Sequence, residues 1–490
     1  MGGGGRACSE ERRPVWYGIL RPLLRPMAAR PTDSPAPLLE GGAPRDSNHA
    51  VLLSLGLQGI GALFAWNAII TPISYYQLRF AGSPFRDSFE SLLSVTFTSI
   101  ALGSLLSLQL VQHRLSLRAV IILSLTTQLG VFSVMTLYTL WPVLQSVEGL
   151  RSEIARNATA SFVVTLVCTA VMAATQAVLT SSVISYSAAF PPAYTKAVSS
   201  GMAVAGLAVS VAGLATAGDE HAASSDAELR ATILSAVIYF GVAVAIFATC
   251  LGSFLAAERT AFVRMTRLEQ TAVCETLRSD EAATTHEVAE CNELATHVNT
   301  GGGCPQTAGC SMSKVAQNVF PYALAMVLNY TVTIGLFPAI TGMISSVSDS
   351  AAWQRIFPAS LFLLYNIGDL VGRTFPPPWL AGKRRLLLFS LCRAIHVPLF
   401  MTCHMPLGKS TVPTLLGVDA APMLLVLILG VTNGMLTSSL LMRAPHAVPP
   451  AQASRAASLM VLSLNSGLLF GSLTSFLLHS LLCDCNPFLA

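Results

Sequence analysis

Long apolar blocks separated by short polar stretches recur along the chain from about position 50 onward. A helix needs roughly 20 apolar residues to cross a hydrocarbon core of about 30 Å, and eleven blocks reach that length. Because lipid offers the backbone no hydrogen-bond partners, we predict that each block is a transmembrane helix. The predicted spans cover approximately residues 50–75, 90–111, 118–141, 160–189, 193–217, 230–255, 316–343, 354–375, 384–404, 417–442 and 455–482.

A long hydrophilic segment separates the sixth predicted span from the seventh. It is rich in Glu, Thr and Asn and holds three consecutive glycines, a composition typical of a flexible linker. The fold class is therefore an all-α polytopic membrane protein with a 6+5 arrangement of helices, a layout typical of transporters that rock one half against the other. The predicted parts are a disordered cytoplasmic tail at 1–49, a six-helix bundle at 50–255, a cytoplasmic linker at 256–315 and a five-helix bundle at 316–490.

Composition and charge agree with this assignment. Of the 490 residues, 53% are hydrophobic and only 11% are charged, against about 25% charged residues in an average soluble domain. The basic residues are scattered between the apolar blocks, so we expect a lipid bilayer and no nucleic acid as partner. Cytoplasmic loops are enriched in Lys and Arg, and twenty of these residues lie on one side against seven on the other. The amino terminus is therefore predicted to be cytoplasmic and the carboxyl terminus extracellular.

The sequence predicts no metal, no cofactor and no enzymatic activity. The eleven cysteines are spread singly, and the group in the linker, Cys274, Cys291, Cys304, Cys310, His286 and His297, matches no zinc-ligand spacing. An intramembrane aspartyl protease, a remote alternative, needs two carboxylates that share a proton. Asp369 is the only acid that we place deep in a span.

Asp369 and Arg373 are the first candidates for solute binding. They lie one helical turn apart, and Asn366 lies on the same helix face at the i−3 position. A charge at the bilayer centre costs on the order of 2.5–3.5 kcal/mol or more unless it is paired or hydrated. The pair could offer a carboxylate acceptor and a guanidinium donor to a hydroxyl-rich solute, or it could be a structural ion pair between helices. Spacing alone leaves both interpretations open.

A second group of candidates lies in the first span. Trp66 and Asn67 precede Thr71 and Pro72 within hydrocarbon depth, and an aromatic face could stack on a flat heterocycle. The alternative is that Trp66 belongs to an interfacial aromatic belt. His396 and His479 also lie in predicted spans and could titrate, although neutral buried histidines are the more common case.

Several segments together resemble the equilibrative nucleoside transporter family, in the family's order and over about residues 50–482. We expect a divergent member of protist type. The tail and the linker are not covered by the resemblance. The matching segments are Trp66-Asn67 with Thr71, Pro191 to Thr195 with Ser200-Gly201, Thr333 to Thr341, Asn366 with Asp369 and Gly372-Arg373, Arg393 to Phe400, and Thr432-Asn433-Gly434.

The resemblance implies eleven helices, a cytoplasmic amino terminus and an arrangement like the major facilitator fold without its last helix. It implies that nucleosides, and in some members nucleobases, cross the membrane by alternating access. By motif, Asp369 and Arg373 take the place of the family's ribose-contacting pair. The implied substrate-binding set is Leu63, Trp66, Asn67, Ile70, Gln176, Thr180, Asn366, Asp369 and Arg373, and the implied gate is formed by Ile70, Phe337 and Pro338.

This sequence departs from the family's pattern at two places. Ala65 stands where a proline usually precedes the tryptophan, and Thr180 aligns with a glutamine that reads the base, while Gln176 lies one turn earlier. The family's preference among bases therefore cannot be assigned to this chain from the resemblance.

The resulting prediction is facilitative nucleoside transport, in a plasma membrane, by a monomer. Asn157, in the sequon Asn157-Ala-Thr159, is a candidate for glycosylation. Two alternatives stay open. One is a nucleobase carrier, and the other is a proton-coupled carrier in which Asp369 or His396 titrates.

Overall fold

The structure is a computed structural model, and it describes residues 46–86, 89–112, 115–144, 154, 156–216, 226–269, 312–405 and 413–483. Most of the predicted tail and linker lies outside these ranges, together with the cysteine and histidine group of the linker. Within the described residues the regular structure is helical, with a single isolated bridge between Cys403 and Leu416. The all-helical prediction is confirmed.

We number twelve helices along the described chain and leave unnumbered two short ones at Ile73–Arg79 and 261–269. The six helices before the linker are α1 (Ala50–Ile70), α2 (Phe89–Val111), α3 (Leu117–Leu140), α4 (Ala158–Ser187), α5 (Pro192–Thr216) and α6 (Asp226–Glu258). The helices after it are α7 (Met312–Leu336), α8 (Ala351–Thr374), α9 (Lys383–Cys392), α10 (His396–Met401), α11 (Ala420–Arg443) and α12 (Ala453–Cys483). We refer to α1–α6 as the first half and to α7–α12 as the second half.

Nine helices of the described chain are long and apolar enough to cross a membrane. The two remaining predicted spans correspond to α8 and to α9 with α10. Helix α8 has 24 residues but carries Arg355, Asp369 and Arg373, while α9 begins with Lys383 and passes through a 3₁₀ turn, Arg393–Ile395, into α10. Both segments are helical where predicted, but the count of eleven spans stays a prediction.

The first helix ends earlier than its apolar block. Helix α1 stops at Ile70, and a separate short helix begins after Pro72. Proline has no backbone N–H to continue the helical pattern, and the Thr71 hydroxyl donates back to the Asn67 carbonyl at 2.5 Å. Apolar residues continue beyond this break, which is why hydropathy alone extends the span to about position 75.

Polar side chains are concentrated inside the helix bundle, and large apolar side chains cover its outside. Gln58, Gln128 and Asn329 have no exposed surface, whereas Leu110 and Leu123 are 76% and 66% exposed. In lipid an exposed leucine is favourable, and a polar group is satisfied only by another protein group. The hydrogen bonds between neighbouring helices therefore run from a polar side chain to a backbone carbonyl, as from Gln58 to Cys250 and from Gln128 to Met172, or to another side chain, as from Asn329 to Asn433.

Close backbone contact between α8 and α11 sets the geometry of the second half. A methyl group added at Gly372 would lie 2.2 Å from the Val431 carbonyl oxygen, and one at Gly434 would lie 2.2 Å from that of Asp369. Small residues of this kind allow helix backbones to approach closely. The approach brings Asn433 of α11 directly beside Asp369 of α8.

The two halves contact each other along two seams. Helix α5 packs against α8 and α11, and α12 packs against α4 and α2. In the second seam, the Ser181 and Ser458 hydroxyls are 2.9 Å apart and Gln109 donates to Ser458 at 2.7 Å. Gln109 and Ser181 lie near the ends of α2 and α4, and Ser458 lies near the start of α12. This contact is therefore at one end of the molecule.

Candidate functional site

Asp369 and Arg373 form a buried ion pair on α8. Arg373 Nε donates to Asp369 Oδ2 at 2.7 Å, and each residue is only 4% exposed. The i, i+4 spacing places both side chains on one helix face, as the sequence predicts. Each charged group is stabilised by the other through charge–charge attraction and a hydrogen bond, in place of the water that burial excludes. The pair also places a hydrogen-bond donor and an acceptor side by side, where a polar solute could use both.

The second carboxylate oxygen of Asp369 is held by α11. Asn433 Nδ2 donates to Asp369 Oδ1 at 2.7 Å, and Asn433 Oδ1 accepts from Asn329 Nδ2 and from Thr333 Oγ1, each at 3.0 Å. Both oxygens of the acid are thus hydrogen-bonded to different helices of the second half, and its orientation is fixed.

Arg373 extends from α8 toward both halves of the molecule. Its Nη1 donates to the Ser199 hydroxyl of α5 at 3.3 Å, and its Nη2 donates to the Tyr330 hydroxyl of α7, also at 3.3 Å. Thr437 of α11 also donates to the Tyr330 hydroxyl at 3.3 Å. A single guanidinium therefore lies where α5, α7, α8 and α11 meet.

Asn366 lies one turn before Asp369 and contacts the first half directly. Its Nδ2 donates to the Ser210 hydroxyl of α5 at 2.6 Å and to the Phe362 carbonyl at 3.0 Å. Its Oδ1 lies so close to Gly206 that a methyl group there would be 2.4 Å away. Asn366 shares the helix face of the ion pair, but its amide is part of the seam between the halves.

The four candidate residues of α1 lie on one helix face. Leu63, Trp66, Asn67 and Ile70 follow the i, i+3, i+4, i+7 pattern, and none is fully buried, with Ile70 36% exposed. The Trp66 ring lies 4.3 Å from the ring of Phe97, centroid to centroid. This aromatic contact with α2 fixes the indole within the bundle.

Gln176 and Thr180 both bind the backbone of α1. Gln176 Oε1 accepts from the Trp66 N–H at 3.0 Å, and the Thr180 hydroxyl donates to the Ala62 carbonyl at 3.0 Å. Residues 62 and 66 are the two partners of one ordinary helical hydrogen bond. These α4 side chains therefore hold the turn of α1 that carries Trp66, next to the position where Ala65 replaces the usual proline.

Two of the three gate candidates, Phe337 and Pro338, directly follow α7, while Ile70 is the last residue of α1. Phe337 is buried and stacks on Tyr365 of α8 with ring centroids 4.0 Å apart, while Pro338 is exposed.

Asp419, at the start of α11, holds the chain that follows the gate residues through hydrogen bonds from Ser346 and Val347. Burial alone would raise the pKa of Asp419, but hydrogen bonds from the Ser346 hydroxyl, the Val347 N–H and the Trp353 indole hold this pKa below its ordinary value.

The remaining candidates lie apart from the ion pair. His396 is buried and its Nδ1 lies 2.9 Å from the Arg393 carbonyl oxygen, while His479 is half-buried on α12. Asn157 stands directly before α4, where its carbonyl accepts from the Ser161 hydroxyl at 2.8 Å. Across the residues that the structure describes, no cluster of three or more His, Cys, Asp or Glu side chains could hold a metal ion.

Reasoning from the sequence assigns no role to several residues that contact the ion pair, namely Asn433, Tyr330 and Ser199, or to Arg393 and Asn329, which reach it only through Asn433. Asn433 and Arg393 stand in the matching segments, but Asn329, Tyr330 and Ser199 do not. Buried Asn, Tyr and Ser are ordinary residues in apolar helices, so their types alone give no signal. Arg393 is a charge deep in a predicted span, and this is the signal that could have identified it.

Comparison with known proteins yields one family model, described as nucleoside transporter, that matches residues 166–480. Human equilibrative nucleoside transporter 2 is 31% identical over 476 residues, covering 91% of this chain and all of the relative. Rat equilibrative nucleoside transporter 3 is 27% identical, covering 92% of this chain and 93% of the relative.

Two solved structures have the same overall fold. The proton:xylose symporter XylE, a major facilitator superfamily protein, matches with a TM-score of 0.56 at 12% identity, covering 87% of this chain and 88% of its own. The E. coli fucose:proton symporter FucP matches with a TM-score of 0.53 at 13% identity, covering 88% and 92%. The predicted major-facilitator-like fold is confirmed, and it is a fold of membrane transporters.

Proposed function

This chain belongs to the nucleoside transporter family, and from that premise we propose that it carries nucleosides across a membrane by facilitated transport. The observation that carries the proposal is the buried pair of Asp369 and Arg373, which lies on the seam between the halves and contacts both. No chemical step is needed. The solute exchanges its hydration for protein contacts and leaves on the other side.

The sugar is the part of a nucleoside that matches the ion pair. Adjacent ribose hydroxyls each donate and accept, so they can donate to the Asp369 carboxylate and accept from the Arg373 guanidinium. To bind between Asp369 and Arg373, a solute must loosen their 2.7 Å hydrogen bond. An apolar solute has no hydrogen-bonding groups with which to replace it. This complementarity favours a solute with vicinal hydroxyls.

The base is assigned to the half-buried face of α1. Leu63, Trp66 and Ile70 present aliphatic and aromatic surface, and flat heterocycles stack on such surfaces without demanding a particular hydrogen-bond pattern. Asn67, Gln176 and Thr180 are polar groups beside this surface, and the last two are engaged with α1 itself. This arrangement supports broad acceptance of purine and pyrimidine nucleosides, with nucleobases as weaker substrates that lack the sugar contacts.

Transport requires the two seams to open in turn. We assign the Ser181–Ser458 end to the cytoplasmic side, because α2 and α4 end there and α12 begins there, next to loops that the sequence predicts to be rich in Lys and Arg and therefore cytoplasmic. Phe337 and Pro338, which follow α7, then form the gate on the opposite side. The carrier is assigned to the plasma membrane as a monomer, with its amino terminus inside and its carboxyl terminus outside.

The first prediction tests the ion pair. Asp369→Asn and Arg373→Ala should each reduce uptake of labelled adenosine to background in cells that lack their own carriers. Asn cannot supply two acceptor oxygens to the sugar, and Ala removes the donors. Surface biotinylation measures how much of each variant reaches the membrane. Normal uptake by both variants at equal surface amounts contradicts the assignment.

The same cells separate facilitated from proton-coupled transport. We expect adenosine uptake to be unchanged when the proton gradient is collapsed at constant pH, since facilitated transport depends only on the solute gradient. A proportional loss of uptake would instead indicate coupling through Asp369 or His396. Competition by a panel of nucleosides and nucleobases then establishes the substrate range.

A further inference from the structure

Arg393 is a buried cation without a buried anion of its own. It is 2% exposed, in the turn between α9 and α10, and among the described residues no carboxylate lies within ion-pair distance of it. Its nitrogens donate instead to neutral oxygens, those of Thr432, Leu429, Thr333 and Asn329. A buried charge is costly to keep even when it is hydrogen-bonded, so retaining one here requires an explanation.

A directional chain of hydrogen bonds leads from Arg393 to the acid of the solute site. Arg393 Nη1 donates to Asn329 Oδ1, Asn329 Nδ2 donates to Asn433 Oδ1 at 3.0 Å, and Asn433 Nδ2 donates to Asp369 Oδ1 at 2.7 Å. A guanidinium can only donate and a carboxylate can only accept. The two ends therefore fix both amides in one orientation.

We propose that Arg393 is a positioning residue for the solute site, acting on Asp369 through the amides of Asn329 and Asn433. This inference rests on the proposed nucleoside transport. When a sugar hydroxyl loosens the contact of Asp369 with Arg373, the chain from Arg393 keeps the carboxylate pointed at the solute. Arg393 itself does not touch the solute.

The competing explanation is that Arg393 only ties α7 to α11. Asn329→Asp separates the two explanations, because an aspartate keeps the tie to Arg393 as an ion pair but cannot donate to Asn433 Oδ1. The Asn433 Oδ1 then faces an acceptor in place of the Asn329 amide and keeps only the Thr333 hydroxyl as a donor, so the orientation that points Nδ2 at Asp369 is weakened. Thr432→Val is the matched control, since it removes a hydrogen bond of Arg393 that lies outside the chain.

The readout is the KM for a ribonucleoside compared with its 2′,3′-dideoxy analogue, which lacks the hydroxyls that Asp369 would bind. Loss of one hydrogen bond to a charged group corresponds to about tenfold in affinity. We therefore expect Asn329→Asp and Arg393→Ala to raise the ribonucleoside KM by about tenfold with little change for the analogue. Arg393→Lys, which keeps a donor, should lie between Arg393→Ala and the wild type, and Thr432→Val should leave the KM ratio unchanged.

Equal loss of both solutes in Asn329→Asp, or an unchanged ratio in that variant and in Arg393→Ala, would overturn the proposal. Surface amounts are measured for every variant. If Arg393→Ala does not reach the membrane, Asn329→Asp still decides, because its ion pair preserves the tie between helices. Failure of the wild type to carry either solute would instead contradict the proposed function, so the two failures are distinguishable.

Discussion

At the level of single residues, the sequence identifies charges more readily than it identifies their partners. Asp369 and Arg373 are conspicuous because ionised groups are rare in apolar helices. Asn433 and Ser199, which hold them, lie far away in sequence, and no local spacing connects positions that meet only after the helices pack. Thr180 shows the same limit, because alignment places it near the base whereas its hydroxyl donates to the backbone of α1.

A matched pair of threonines tests the contact between Thr180 and α1. Thr169 and Thr180 both lie buried on α4 and donate to their own helix, but only Thr180 also donates to Ala62. Replacing each by the similarly shaped valine should destabilise the protein by about 1 kcal/mol more at position 180, since a typical hydrogen bond contributes about that much. Thermal unfolding in detergent measures the difference. Equal shifts in Tm would show that the Ala62 contact contributes nothing.

At the level of helices, the apolar pattern predicts most elements but not where they break. Helix α1 ends at Pro72 inside an apolar block, and the ninth predicted span is divided by the turn at Arg393–Ile395. The close contact of α8 with α11 is also hidden from the pattern. Gly372 and Gly434 indicate tight packing, but not which glycine meets which helix.

Gly372→Ala tests whether this close contact builds the site. The added methyl group would lie 2.2 Å from the Val431 carbonyl oxygen, so α8 and α11 must separate. We expect loss of adenosine uptake and destabilisation of roughly 1–3 kcal/mol. Gly130→Ala is the control, because a methyl group there meets no atom within 4 Å and alanine is the better helix former. Comparable loss of uptake in both variants would contradict a specific role for Gly372.

At the level of the whole molecule, the predicted 6+5 layout agrees with the major facilitator fold, but the seams between the halves do not follow from the sequence. Ser181 and Ser458 are small polar residues in apolar helices, and 277 positions separate them. Only the packing of α4 against α12 shows that they meet. The boundaries at 50–255 and 316–490 stay a prediction.

A disulfide across this seam tests alternating access. In a Ser181→Cys, Ser458→Cys double variant, oxidation should abolish adenosine uptake and a reductant should restore it, because the two ends can no longer separate. The control pair is Ser187→Cys with Thr195→Cys, whose hydroxyls are 3.1 Å apart within the first half, and which should transport when oxidised. Full uptake by the cross-linked Ser181–Ser458 pair would argue against movement at this seam.

The position of Arg373 has a consequence for inhibition. Its guanidinium contacts Ser199 of the first half and Tyr330 of the second at the same distance, 3.3 Å, so a solute that engages it competes with a contact between the halves. A small sugar can do so and still let the halves close around it. A ligand that binds Arg373 and extends a bulky substituent toward Ser199 would keep the two halves from closing. Such a ligand would inhibit transport and would not itself be transported.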